Sequence, residues 1–271
     1  MPPERFISKY IPSIYMIKSS YNSTLDREQI IREVTLIGNG AHIFAPKEWA
    51  GEKVFVIRAI KPSLKEKILK ILEPHLESIL GVYIYGSYAR GEQREDSDID
   101  LLVVSNKQIK MQEKGFEVIA IEEDKLRDAI KIAPILIYSA LKEAKTVINP
   151  KLLSDLREKH KPKKEDFKDY TEETKNIIKI NEELPDSYSI ILRLRGIYLI
   201  ECLFSEEEYS YWEFKKWAIK DTDKKIDFDG VYNSYLKAKN NLKAEANEDD
   251  MKMLLSVLKD KVKKLEKRIY G

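Results

Sequence analysis

A single cysteine, Cys202, in 271 residues leaves no way to build a disulfide or a cysteine-ligated zinc site. It sits in an apolar run and reads as a small buried hydrophobe rather than a reactive thiol. No stretch approaches the roughly 20 apolar residues of a membrane span, and the N-terminus lacks the apolar core of a signal peptide. The expectation is a soluble, cytoplasmic protein. Neither sign of charge dominates: Lys+Arg 48 against Asp+Glu 46 leaves a net charge of +2. That balance makes no global case for nucleic-acid binding, so any basic surface has to be local. Glycine and proline are sparse, 10 of each, and a Lys- and Glu-rich chain with short, glycine-poor connections has the composition seen in thermophile proteins. What is present is 43% hydrophobic residues, enough for a real core, and 35% charged residues. The length suits two or three compact units.

Residues 1–30 show no clear period. From Arg32 the chain alternates through Arg32–Ile37, turns at Gly38-Asn39-Gly40, and continues as a short strand over Ala41–Ala45. Pro46–Gly51 reads as one helical turn closed by glycine, and Lys53–Arg58 as a third strand. Ser63 then precedes Leu64, Ile68, Leu69, Leu72 and Leu76 at helical spacing. Strands are expected at 81–85, 99–104, 116–121 and 146–148, with helices around 125–132 and 135–144. Beyond Pro150 the chain becomes almost wholly helical. Lys151–Lys164 is a charged stretch suited to a linker, and helices are expected over 189–204, 211–220, 231–242 and 251–270. There is no internal repeat and no low-complexity tract.

The chemistry is concentrated in residues 85–103. A strand runs into Gly86-Ser87 where a helix should begin, so free backbone N–H groups and a hydroxyl can hold a phosphate with the helix dipole assisting. Glycine at 86 permits close backbone approach to a ligand. Asp98 and Asp100 flank Ile99 at the mouth of the next strand, and residues two apart on a strand share a face. Two adjacent carboxylates repel unless they are hydrated, paired with lysine, or bridged by a divalent cation; with nucleotide phosphates present, magnesium is the suitable ion.

With ten residues between Ser87 and Asp98, this segment resembles the signature of the DNA polymerase β-like nucleotidyltransferase superfamily, Gly-Ser followed by Asp-x-Asp. It is similar to the small prokaryotic group written Gly-Ser-x-Ala-Arg-Gly and Ser-Asp-Ile-Asp-Leu-Leu-Val, and the resemblance spans 64–148. It implies an α/β (α+β) core with a mixed sheet over 61–150, followed by an all-α domain over 151–271. It also implies a third carboxylate on a neighbouring strand, usually aspartate; here the matching position is Glu117, a departure that lengthens the reach by about one C–C bond. Glu117 read without the family is simply the polar residue of an alternating strand. The implied chemistry is a two-metal in-line displacement. Asp98, Asp100 and Glu117 would be the catalytic, metal-holding residues for two Mg2+ ions, with Gly86, Ser87 and Arg90 binding the nucleoside triphosphate. Arg90 has a second reading, a salt bridge to the 92–96 loop.

Residues 36–56 resemble AbrB-like swapped-hairpin domains, which implies a small β unit within 1–60, a homodimer, and possible contact with DNA. His42 there reads as structural. The C-terminal helices resemble the helical domains with which many nucleotidyltransferases hold their acceptor, but the Arg-x4–6-His motif of HEPN-type ribonucleases is missing, so RNase activity is not expected. Residues 209–217 carry aromatics that fit either base stacking or core packing. The expected function is transfer of a nucleoside monophosphate, AMP from ATP, to an acceptor hydroxyl of protein, RNA or a small molecule. The competing reading is a toxin–antitoxin-type or DNA-binding regulatory protein.

Overall fold

The computed structural model describes residues 30, 32, 34–54, 56, 63–94, 97–205, 207–220, 222, 226–243 and 245–271. The chain divides into two compact units, Met1–Ile60 and Lys61–Gly271.

In the first unit, β1 (Thr35–Ile37) and β2 (Gly40–His42) form an antiparallel hairpin in which Thr35 faces His42 and Ile37 faces Gly40. The turn at Gly38-Asn39 places Gly38 at φ +51°, a backbone region that favours glycine. Both strands are shorter than the alternation at Arg32–Ile37 and Ala41–Ala45 suggests. A 3-10 turn over Lys47–Trp49 follows, close to the helical turn expected at 46–51. Of the expected third strand, Lys53, Val54 and Val56 carry no strand pairing, and Phe55, Ile57 and Arg58 lie outside the described residues.

The second unit begins with α1 (Leu64–Leu72). Ser63 caps it reciprocally: its hydroxyl accepts from the Glu66 N–H (3.2 Å), and the Glu66 carboxylate accepts from the Ser63 N–H (2.6 Å). A mixed sheet follows, built from β3 (Ile79–Tyr85), β4 (Ile99–Ser105), β5 (Phe116–Glu122) and β6 (Lys145–Ile148) in the order β5-β4-β3-β6. β4 runs antiparallel to β3 and parallel to β5, and β6 is antiparallel to β3. The connections carry α2 (Gly86–Arg90), α3 (Leu126–Ile132) and α4 (Pro134–Glu143).

Strand alternation gives this sheet two apolar faces. Ile99, Leu101 and Val103 of β4 pack with Val82 against Ile68 and Leu72 of α1. Leu102 and Val104 point the other way, with Tyr83, Tyr85 and Ile121, into a larger core. That core is continuous with the interior of the C-terminal helices: α5 (Pro150–Lys159), α6 (Lys168–Glu183), α7 (Ser187–Phe204), α8 (Tyr211–Ile219), α9 (Phe228–Lys239) and α10 (Glu248–Tyr270). The stretch expected as a linker therefore begins as helix α5. Leu153 and Leu156, three residues apart among charged neighbours, supply its buried face, and Asn149 caps it by accepting from the Leu152 N–H (3.0 Å).

Polar straps join sheet and helices. The Arg157 guanidinium donates to the carbonyls of Leu141 (2.7 Å), Lys142 (3.0 Å) and Ala144 (2.9 Å), satisfying the C-terminal end of α4. The Lys142 ammonium donates to the carbonyls of Cys202, Ser205 (2.9 Å) and Glu207 (2.8 Å), doing the same for α7. Cys202 itself is buried, and burial pushes its thiol above the ordinary range. No helix among the described residues is long and apolar enough to cross a membrane.

Candidate active site

The β3–α2 turn and the mouth of β4 build the site. Tyr85 ends β3 in extended conformation, and Gly86 opens α2 at φ +69°. A Cβ on Gly86 would lie 2.0 Å from the Asp100 Oδ2, so the carboxylate is seated directly on the glycine backbone. Sequence reasoning assigned the free space at Gly86 to a ligand; it holds the side chain of Asp100. Gly91, at φ +75°, closes α2 in the left-handed cap expected of glycine.

Sheet register sets the second carboxylate. Asp100 is the Cα partner of Tyr85 on one side and of Glu117 on the other. Residues paired in this way share a face, so Asp100 and Glu117 stand side by side on neighbouring parallel strands. Asp100 is half-buried, whereas Glu117 and Asp98 are exposed, Asp98 lying one residue before β4 begins. The Asp100 carboxyl is pushed up to about 6, first by burial and then by the charge of Glu117, against the opposing pull of Lys239, Arg90 and Arg195. The Tyr85 phenol is raised by burial and by the same carboxylates, together with Glu143.

Arg90 is engaged within the protein. Its Nε donates to Glu92 (2.9 Å), its Nη1 pairs with Glu143, and its guanidinium lies 4.8 Å from the centre of the Tyr209 ring. Glu92 in turn accepts from the Tyr211 N–H (3.1 Å), so the segment after α2 is strapped to the start of α8. The salt bridge to Glu92 falls in the 92–96 loop expected from sequence, and Arg90 also borders the cleft described below. The Ser97 hydroxyl accepts from the Arg94 N–H (2.8 Å), which fixes the turn leading into β4.

These residues line a cleft of about 1330 Å³ between the sheet and the C-terminal helices. Gly86, Ser87, Arg90, Asp98, Asp100 and Glu117, the full set expected from sequence, all border it. Of the opposite wall, sequence reasoning singles out only the aromatics Tyr209, Tyr211 and Trp212 around the start of α8; Arg193 and Arg195 of α7 and Tyr232, Lys237 and Lys239 of α9 join them there. The aromatic stretch at 209–217 divides its work. Phe214 is in the core and Trp217 packs against it, while Trp212 remains 64% exposed.

The sequence profile of the family described as "Polymerase beta, Nucleotidyltransferase" matches residues 66–154. A relative from Methanocaldococcus jannaschii, described as a "Putative protein adenylyltransferase", is 31% identical over 87 residues, 32% of this chain and 84% of that protein. The chain belongs to the polymerase β-like nucleotidyltransferase superfamily, and it is a nucleotidyltransferase. Among solved structures, a spectinomycin adenyltransferase from Enterococcus faecialis, with ATP and spectinomycin, superposes with a TM-score of 0.45 at 16% identity. The superposition covers 73% of this chain and 97% of that one.

The raised Asp100 carboxyl has a consequence for stability. Between its ordinary value of 3.8 and about 6 the folded chain holds more proton than the unfolded chain, so stability falls as pH rises through that window. Asp100→Asn is therefore expected to raise the urea midpoint at pH 7, by the equivalent of about 1–2 kcal/mol once solvent screening is allowed for. The same variant should leave the midpoint near pH 4 almost unchanged. Equal effects at the two pH values would contradict the placement of this carboxyl.

Proposed function

We propose that the chain transfers AMP from ATP to an acceptor hydroxyl, with release of pyrophosphate, in a magnesium-dependent reaction. The observation that carries this reading is the Asp100–Glu117 pair, held side by side by sheet register and set against the Gly86 backbone. Folding brings like charges together here at a cost that shows in the raised Asp100 carboxyl. A divalent cation held by Asp100 and Glu117 would relieve that cost by neutralising the paired charge. Among the described residues, no three His, Cys, Asp or Glu side chains form a ready-made metal cage. Magnesium does not require one: it is usually held by one or two carboxylates, with substrate phosphates and water completing the shell. Hard oxygen donors bordering the cleft fit that ion.

When bound, magnesium supplies charge neutralisation of the triphosphate and polarises the reacting phosphorus; two ions, shared among Asp98, Asp100 and Glu117, are our reading of the site. The protein's own groups do the rest. The first turn of α2 at Gly86 and Ser87 offers N–H groups and a hydroxyl to the terminal phosphates. Arg195 and Lys239, whose charges already act on Asp100, add positive potential on the same side. Glu117, exposed beside Asp100, accepts the proton of the attacking hydroxyl. The likeness to an archaeal protein described as a putative protein adenylyltransferase supports adenylyl as the transferred group.

The N-terminal unit supports a further reading, the homodimer. Leu36 is 84% exposed, Val56 71% and Phe44 69%, large apolar side chains that a second copy of the chain would cover. Light scattering on the full chain is expected to return twice the mass of one chain. Leu36→Glu with Phe44→Glu should return a single chain, and a monomeric wild type would remove the dimer.

For the reaction, ATP labelled at the α-phosphate, magnesium and the purified chain should yield labelled product. Asp100→Asn is expected to lower the rate by about 10³, and Glu117→Gln by at least about 10². Undiminished transfer by Asp100→Asn would exclude this mechanism.

A further inference from the structure

Two arginines stand two residues apart on α7 and meet different partners. Arg193 pairs with the Glu173 carboxylate (3.2 Å) and lies 4.9 Å from the centre of the Tyr170 ring. Arg195 has no ion pair among the described residues. Its Nε donates to the Tyr209 hydroxyl (3.3 Å), and its guanidinium lies 5.2 Å from the centre of the Tyr209 ring. Burial works against the Arg195 charge, and the phenols of Tyr209, Tyr235 and Tyr232 hold it. A partly buried guanidinium kept by phenols alone lacks a counter-ion of its own, and an anionic ligand entering the cleft supplies one.

Tyr209 is shared with the other side of the cleft. The Arg90 guanidinium lies 4.8 Å from the centre of the same ring, and the charges of both arginines act on Asp100. The ring itself is 5% exposed and has little freedom to move. The ring of Tyr198 lies 5.8 Å from it and that of Phe214 6.2 Å, both buried. Its backbone is tied on either side: the Glu207 carbonyl accepts from the Lys142 ammonium (2.8 Å), and the Tyr211 N–H donates to Glu92 (3.1 Å). A fixed aromatic face suits the flat guanidinium and limits the positions open to a long side chain; an ammonium gains less from it.

We propose that Tyr209 is a positioning residue for nucleotidyl transfer, whose ring fixes the unpaired Arg195 guanidinium where it meets the β- and γ-phosphates of the donor. The inference rests on the magnesium–ATP reading above. As the bond from the α-phosphorus to the bridging oxygen breaks, its electron pair leaves with pyrophosphate. A guanidinium already in place meets that charge without rearranging. Because Arg90 touches the same ring, the α2 turn and α7 are set relative to each other by one side chain.

The test is calorimetry on the full chain with magnesium, using inorganic pyrophosphate and, separately, a non-hydrolysable ATP analogue. Tyr209→Leu and Arg195→Gln are each expected to weaken both ligands about tenfold. Tyr209→Phe, which keeps the ring, should stay within about threefold of the wild type. The chain carrying both Tyr209→Leu and Arg195→Gln should bind no more weakly than Arg195→Gln alone, because the ring then has nothing left to position. A ring that only stabilises the fold would add its loss to that of Arg195→Gln. Arg195→Lys keeps the charge without the flat plane and should bind as weakly as Arg195→Gln; it reads the same claim if Tyr209→Leu fails to fold. Additive losses, undiminished affinity in Tyr209→Leu or Arg195→Lys, or a Tyr209→Phe chain as weak as Tyr209→Leu overturns this role and leaves the donor site standing. A wild-type chain that binds neither ligand with magnesium overturns the donor reading itself, and this inference with it.

Discussion

The structure turns on one contact, the Asp100 carboxylate resting on the backbone of Gly86. A side chain at 86 would occupy the space of that carboxylate, and the positive φ at this position disfavours every residue but glycine. The contact ties the end of β3 to the mouth of β4, and sheet register then delivers Glu117 to the other flank of Asp100. Strand, turn, strand and neighbouring strand thus meet at one point, where burial and like charge keep a carboxyl far above its ordinary value. The apolar alternation of β4 makes this possible: Ile99, Leu101 and Val103 anchor one face in a fully apolar layer, so that Asp100 can stay at the rim of the other.

Around that point the sheet and the helices are joined by charged groups as well as by a common core. Arg90 reaches from α2 to Glu143 at the end of α4 and stacks on Tyr209, while Glu92 accepts from the first residue of α8. Lys142 and Arg157 spend their hydrogen bonds on the open carbonyl ends of α7 and α4. Partly buried, charge-assisted bonds of this sort are individually worth about 1.5–3 kcal/mol. They hold the aromatic and cationic wall in register with the β3–α2 turn, so the width of the cleft is set by the fold.

The near wall was legible in the sequence because its chemistry is local. Gly86, Ser87, Asp98 and Asp100 lie within one short segment, and the spacing of that segment is itself the signature. Glu117 was reachable because strand alternation and its family position agreed. The far wall was legible only in the aromatics of 209–217, since Arg195 and Lys239 come from two other helices and only tertiary packing brings them beside Tyr211. Helix α6 escaped a residue-level reading for a different reason. Its buried positions are Thr171, Thr174, Ile178 and Asn181, and three of these four are polar residues that hydrophobic periodicity overlooks. Asn181 meets its buried polar needs through Ile177, Ser189 and the Asp186 N–H. Charge density hid α5 in the same way, with Leu153 and Leu156 the only buried residues in it.

The central claim is that Asp100 and Glu117 exist to hold a cation that carries a triphosphate, and proton release measures this most directly. Calorimetric titration of the chain with magnesium and a non-hydrolysable ATP analogue near pH 6, in two buffers of different ionisation enthalpy, reads the proton released when the cation draws the Asp100 carboxyl back down. The account predicts magnesium-dependent affinity accompanied by loss of a proton near pH 6, fading by pH 8 and missing in Asp100→Asn. Affinity that is indifferent to magnesium, or binding with no proton released near pH 6, would contradict it.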